Sequence, residues 1–371
     1  MSRLALFART AVGAFRPRSV QYLILFVTSR CNARCKMCFN WAALENPASA
    51  DLTLAEIQAL SRTTPDLVQL TLSGGEPFLR DDLVEIIAAF HQNTGIRQIT
   101  LPTNALLTDR IAAAVEAILD SFPRLAVNLD LSIDGVGAEH DEIRGRPGLY
   151  EHVLKTYRAA IEMKKRRPQL RLGMSAVLSR FNRDSIIATL DEMDREFAFD
   201  RHEVMLARGS TRESSATEVS IDDYEQAHRW IKQHDRAGSG SLFGRVNYQM
   251  ALLMRESLMR TVREDRMILP CLAGSKLLVV EADGKVRPCE ILHTLYPEGR
   301  PEQGLADFEL GNLRENGLDL RKIMASDQTR RVVEFIRDSR CHCTFECALF
   351  NSLVFNPRQW PKLGLRILLN P

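Results

Sequence analysis

Between residues 21 and 207, apolar runs of strand length alternate with amphipathic stretches of helix length, and this rhythm admits few folds. The runs are QYLILFVT (21–28), DLVQLTLS (66–73), RQITLPT (97–103), LAVNLDLS (125–132), LRLGMSAVL (170–178) and HEVMLA (202–207). The segments between them carry helical spacing, and Thr53 with Glu56 has the pattern of a capping box at the start of the first. Each strand–helix unit takes about 30 residues, the size of a β-α repeat. Such alternation gives a parallel sheet with helices outside, either as an open doubly wound sheet or as an incomplete barrel. In both forms the functional site lies at the C-terminal ends of the strands. The basic run Lys164–Arg167 closes a helix, where it complements the negative end of the dipole.

After residue 210 the rhythm stops. A polar stretch, GSTRESSATEVS, leads into helical patterns that run to about residue 265. SKLLVVEADGKVRPCEI then reads as a β-hairpin turning at Asp283-Gly284, and a helix near 320–338 precedes CHCTFECALFNSLVFNP. The chain therefore divides into a basic N-terminal arm (1–18), a β/α region (19–210), a helical linker (211–262), a small α+β region (263–352) and a basic, apolar tail (353–371).

Eight cysteines fall in two groups, at 31, 35 and 38 and at 271, 289, 341, 343 and 347. A chain of 371 residues, 45% hydrophobic, can bury cores without crosslinks, and nothing in it resembles a secretory signal. The two groups read as two metal sites rather than a disulfide framework. The net charge of +2 creates no field suited to nucleic acid. No apolar run reaches the length of about 20 residues that spans a bilayer. The ends are nevertheless distinctive. Arg3, Arg9, Arg16, Arg18, Arg30, Arg34 and Lys36 precede the first acidic residue, Glu45, and no acid follows Glu346. These ends read as arms packed on the body of a cytoplasmic protein, with peripheral contact to the inner face of a membrane as the alternative.

Cys31-x3-Cys35-x2-Cys38 follows directly on the first strand, at the catalytic end of the sheet. Thiolates are soft ligands suited to zinc or iron–sulfur clusters. A structural zinc site takes four ligands, whereas three thiols on a four-iron cluster leave one iron open for chemistry. Gly74-Gly75-Glu76-Pro77 ends the second strand, its glycines allowing close backbone approach and its glutamate offering an acceptor for a cationic group.

Together these motifs resemble the radical S-adenosylmethionine superfamily, over about residues 21–207 by layout. The resemblance implies a partial (β/α)6 TIM-type barrel with a [4Fe-4S] cluster on Cys31, Cys35 and Cys38. It implies S-adenosylmethionine bound near Gly74, Gly75, Glu76 and Pro77, with Met37 and Phe39 near its adenine. Asn104, Ser132, Asp134 and Arg144 are further implied contacts, though each also fits the ordinary polarity of a strand end. The implied chemistry is reductive cleavage of the cofactor to a 5′-deoxyadenosyl radical, which abstracts a hydrogen atom from the substrate. Glu203, Arg208 and His202 lie near the last strand, His202 and Glu203 reading equally as solvated loop residues, and no catalytic base is legible.

The second group, Cys271-x12-Gly284-x4-Cys289 with Cys341, Cys343 and Cys347, resembles the auxiliary-cluster domains of the SPASM and twitch subgroups. Five thiols imply one auxiliary [4Fe-4S] cluster, with structural zinc as the alternative and the spare thiol undecided. The implied reaction is a net oxidation or coupling of a small-molecule or lipid-linked substrate, sugar- or aminocyclitol-like. A flavodoxin- or ferredoxin-type protein would donate electrons. Peptide modification is the alternative, weakened by the absence of room before Cys31 for a leader-binding domain, and a zinc scaffold without catalysis is a remote one.

Overall fold

The computed structural model describes residues 3–16, 19–47, 49–64, 67–234, 242–339 and 341–369; Arg18 of the basic arm, 235–241 of the helical linker and 370–371 of the tail lie outside them. Helix α1 (Arg3–Phe15) precedes β1 (Tyr22–Thr28) and the short α2 (Trp41–Glu45). Then follow α3 (Leu54–Thr63), β2 (Gln69–Gly74), α4 (Leu83–Thr94), β3 (Gln98–Thr103), α5 (Thr108–Ser121) and β4 (Ala126–Ser132). The β/α region ends with α6 (Ala138–Arg144), α7 (Leu149–Arg166), β5 (Leu170–Leu178), α8 (Ile186–Glu196) and β6 (Arg201–Leu206). Beyond it lie α9 (Ile221–His234), α10 (Leu242–Arg263), β7 (Leu277–Val280), β8 (Lys285–Arg287), α11 (Leu292–Leu295) and β9 (Gly311–Asn312). Four helices close the chain: α12 (Leu320–Ala325), α13 (Asp327–Asp338), α14 (Glu346–Val354) and α15 (Trp360–Leu369).

The six expected strands form, and each pairs in parallel with the next in sequence. Among the described residues β6 does not pair with β1, so the arc is a partial barrel. The small C-terminal region does not build a separate sheet. Its hairpin, β7–β8, joins the arc through parallel pairing of β7 with β1, giving the order β6-β5-β4-β3-β2-β1-β7-β8-β9. The boundary placed at residue 263 therefore divides the chain but not the sheet.

Strand periodicity sorts the side chains onto two unlike faces. Leu23 and Leu25 of β1, Leu70 and Leu72 of β2, Ile99 and Leu101 of β3, and Val127, Leu129 and Leu131 of β4 are buried on the outer face, under the helices. The register puts Tyr22, Thr71, Thr100, Asn128, Asp130, Ser175, Arg201 and Glu203 on the inner face. His202 is not a solvated loop residue but lies within β6 on the outer face, 6% exposed, edge-on to Trp230 of α9 at 5.6 Å.

Local signals hold where they are strong. Thr53 Oγ1 accepts from Glu56 N (3.3 Å) while Glu56 Oε2 accepts from Thr53 N (2.8 Å), the reciprocal capping box at α3. Arg314 also donates to Glu56 Oε1 (2.7 Å), and its guanidinium holds that carboxyl down at about 2. The basic run at the end of α7 is spent on neighbouring acids, Lys164 on Asp200 (2.6 Å) and Arg167 on Asp120. The single helix expected near 320–338 is two, because Ser326 leaves helical geometry and caps α13 through a bond from Thr329 N (3.1 Å). The tail is helical and packs along α10, while α1 is tied to the body by Arg9 on the carbonyls of Thr94 (2.5 Å) and Gly95 (2.8 Å). Among the described residues no helix is long and apolar enough to cross a membrane.

Candidate active site

The loop carrying Cys31, Cys35 and Cys38 leaves the C-terminal end of β1 and is fixed on four sides. At its root Asp51 accepts from Thr28 Oγ1 (2.7 Å), Ser29 N (3.0 Å) and Ser29 Oγ (2.7 Å). Along one flank Arg34 N donates to Arg144 O (3.0 Å) and Lys36 N to Ile143 O (2.9 Å). On the other, Arg212 N donates to Cys38 O (3.0 Å) and Glu213 N to Lys36 O (2.8 Å). Beneath it, Gly75 N donates to Thr28 O (2.9 Å) and Glu76 N to Arg30 O (2.9 Å).

These contacts explain the paired glycines. A Cβ on Gly75 would overlap the carbonyl oxygen of Arg30 and lie 3.1 Å from Cys31 N. Gly74 has a φ of +117°, and a Cβ there would meet Thr28 O at 2.5 Å. Gly145, at φ +62°, leaves the same kind of room for Arg34 O.

The polar residues expected to meet a cofactor are brought to this loop, but several are already engaged. Glu76 is 1% exposed and accepts from Thr103 Oγ1 (2.8 Å), Asn104 N (2.8 Å) and Phe78 N (3.3 Å). Burial raises its carboxyl to about 7 against the pull of these donors. Through these bonds Glu76, the acceptor the sequence offers to a cationic group, also joins the ends of β2 and β3. Arg144 donates from Nε to Asp134 Oδ2 (2.6 Å), and Nη1 reaches Cys35 Sγ at 3.8 Å. Asp134 is fully buried and its Oδ1 accepts from Val177 N (2.7 Å). The pair thus braces α6 and β5 against the cysteine loop. Asn104 Nδ2 donates to Asn32 Oδ1 (2.7 Å) and lies 4.0 Å from Cys31 Sγ. Met37 packs in a small apolar cluster with Ile143, Ala207 and Ala216, Phe39 is half-buried beside Gly209, and Ser132 ends β4 opposite Ser175.

Burial pushes the thiols of Cys31 and Cys38 up to about 11 and 12, and raises Cys35 as well, each of the first two being raised further by its neighbours in the loop. A positively charged group that draws the three sulfurs into the thiolate form relieves this cost. Three soft donors on a braced loop, with Arg144 and Asn104 beside two of the sulfurs, fit an iron–sulfur cluster. Neither cysteine group is drawn in to the spacing of a single-ion cage among the described residues.

The loop stands over the polar inner face of the arc. There Arg201 pairs with Asp130 and with Glu203 (3.2 Å). Gly173 lies between them in the register, and a side chain there would strike Asp130 Oδ1. Burial raises Asp130 to about 6. Glu203 is thus a half-buried residue of β6 paired with Arg201, not a solvated loop residue.

The gap between β6 and β1 is filled by the start of α14. Leu206 N donates to Glu346 Oε1 (3.3 Å) on the β6 side, and Tyr22 OH lies 3.9 Å from Cys347 Sγ on the β1 side while bonding to Thr71 Oγ1 (2.9 Å). Arg208, just beyond β6, pairs with Glu346, faces Glu290 at 3.9 Å, donates to Thr344 O (3.5 Å) and lies 4.8 Å from the Phe345 ring centre. The five C-terminal thiols differ in their charged neighbours, although Arg208 and Glu346 lie beside both Cys343 and Cys347. Burial raises Cys271, Cys289, Cys341 and Cys343, and the first three are raised further by thiols of the same set. Cys347 is raised to about 12 by burial and by Glu290, with Arg208, Glu346 and Glu203 as its other charged neighbours.

The model of the Radical SAM superfamily matches residues 25–193, and that of an iron–sulfur cluster-binding domain, SPASM, matches residues 271–348. An AdoMet-dependent heme synthase of Methanosarcina barkeri is 29% identical over 280 residues, covering 72% of this chain and 76% of that protein. A probable GTP 3′,8-cyclase of Methanothermobacter thermautotrophicus is 26% identical over 309 residues, covering 80% and 92%. The fold is shared with SuiB of Streptococcus suis, solved with S-adenosylmethionine, at a TM-score of 0.59 and 16% identity over 90% of this chain and 72% of that one. SuiB has also been solved with the precursor peptide SuiA.

Proposed function

The chain belongs to the radical S-adenosylmethionine superfamily and carries a C-terminal iron–sulfur cluster-binding domain, and on that footing we propose that it oxidises a small or lipid-linked substrate through a polar group held inside the arc. When bound, the cofactors supply an oxidant able to take a hydrogen atom from an unactivated carbon, and an acceptor for the electron the substrate then loses. Cys31, Cys35 and Cys38 would hold the first cluster, and the Gly74–Pro77 turn with Asn104 would lie against S-adenosylmethionine. Asp51, Glu76, Arg144, Arg212 and Glu213 keep that loop in register over the strands.

The observation that carries the substrate class is the inner face. Thr71, Thr100, Asn128, Asp130, Ser175, Arg201 and Glu203 offer hydrogen-bonding groups on the inner face of the arc. Such a surface suits hydroxyls and amines, and the sequence relatives are named for heme and GTP, both small molecules. The test is formation of 5′-deoxyadenosine by reduced, anaerobic enzyme supplied with fractions of a cell extract. Stimulation by the small-molecule or lipid fraction is expected. Stimulation by the peptide fraction alone would replace this reading with peptide modification, the second reading that the SuiB–SuiA complex supports.

Cys271, Cys289, Cys341 and Cys343 neighbour one another, while Cys347 faces Tyr22 and Glu290; this supports Cys271, Cys289, Cys341 and Cys343 as the ligand set of the auxiliary cluster. Cys289→Ala is expected to lower iron by about four per chain, the content of one [4Fe-4S] cluster. Cys347→Ala is expected to keep its iron. Loss of iron from the second variant, measured after anaerobic reconstitution, would put Cys347 among the ligands.

A further inference from the structure

The two acid-free ends of the chain meet on one surface. Helix α1 is held to the body from one side, by Arg9 on the C-terminal carbonyls of α4 and by Lys276 Nζ on Gly13 O (2.6 Å) and Arg16 O. Its other side leaves Val12 50% and Phe15 69% exposed, one turn apart. Helix α15 is anchored to α10 by Arg366 on Glu256 (3.0 Å) and leaves Leu365 57% exposed. Phe15 and Trp360 meet edge-on at 5.9 Å, which joins the two faces. Five large apolar side chains are exposed among the described residues, and three of them are on these two helices. Arg16, Arg358 and Lys362 are exposed beside them, and no Asp or Glu precedes Glu45 or follows Glu346.

We propose that this face docks on the surface of an anionic lipid bilayer. Protruding apolar side chains flanked by cations, with no acid on either helix, match a helix pair lying in the headgroup plane: the side chains insert and the cations meet lipid phosphates. Like charges oppose a second copy of the chain on the same face, which leaves the bilayer as the complementary occupant. The proposal goes beyond the substrate reading and stands without it, because docking needs neither cluster nor substrate.

The test is co-sedimentation of the full chain with phosphatidylcholine vesicles, with and without phosphatidylglycerol. Binding to the anionic vesicles alone, weakened by salt, is expected. The triple variant Val12→Glu, Phe15→Glu, Leu365→Glu should bind at least about tenfold less, since one inserted apolar side chain is worth that factor. Iron content and circular dichroism of the variant should match wild type, which separates lost docking from lost folding. Wild type left in the supernatant, or a variant that binds equally well, overturns the proposal. So does a wild-type dimer that the triple variant dissociates, because the face would then be an interface between copies.

Discussion

Cys35→Ala is expected to abolish reductive cleavage of S-adenosylmethionine and to lower iron by about four per chain, while the C-terminal cluster stays loaded. Cys35 is the middle thiol of the loop, and the Arg144 guanidinium lies 3.8 Å from its sulfur. The loop itself should survive the substitution, since its fixing contacts run through backbone atoms and through Asp51, and none of them needs the sulfur. The measurement is 5′-deoxyadenosine formed under reduction, together with iron and sulfide per chain. Cleavage at the wild-type rate would remove the site assignment.

Gly75→Ala should be nearly as damaging, by a different route. The added methyl overlaps the Arg30 carbonyl, which is backbone and cannot swing aside as a flexible side chain would. Either the turn after β2 or the cysteine loop must move, at a cost of about 1–3 kcal/mol or more. Lower iron loading and a lower denaturant midpoint are expected together. Gly364→Ala is the control, because nothing lies within 4 Å of a Cβ there and the position is helical. A Gly75→Ala protein with normal iron and normal stability would show that close approach is not what the glycine is for.

β2 to β6 were legible because they set an apolar outer side against an inner side that can be polar, and β1 because it is an apolar run of strand length. Thr53 and Glu56 were legible because a capping box is complete within four residues. What escaped the sequence was contact between distant segments. Asp51, Arg212 and Glu213 carry no motif, and only the fold brings them to the cysteine loop. The bonds that Thr103 and Asn104, at the end of β3, give Glu76 have no signature in the sequence around Gly74–Pro77. Helix α6, which carries Arg144, is seven residues long and too short for periodicity to reveal. Cys347 could not be told from Cys343 by spacing. Helix α14 begins at Glu346 and turns the next side chain toward Tyr22.

The pairing of β7 with β1 makes the auxiliary region a structural necessity for the catalytic one. β1 carries the root of the cysteine loop and is buried along its whole length, with β2 on one side and β7 on the other. Cutting the chain before β7 would turn this central strand into a bare edge of unpaired amides, apolar in sequence and ready to pair with another molecule. The two cysteine regions therefore share one sheet, and removing β7 would strip a pairing partner from the strand that carries the first.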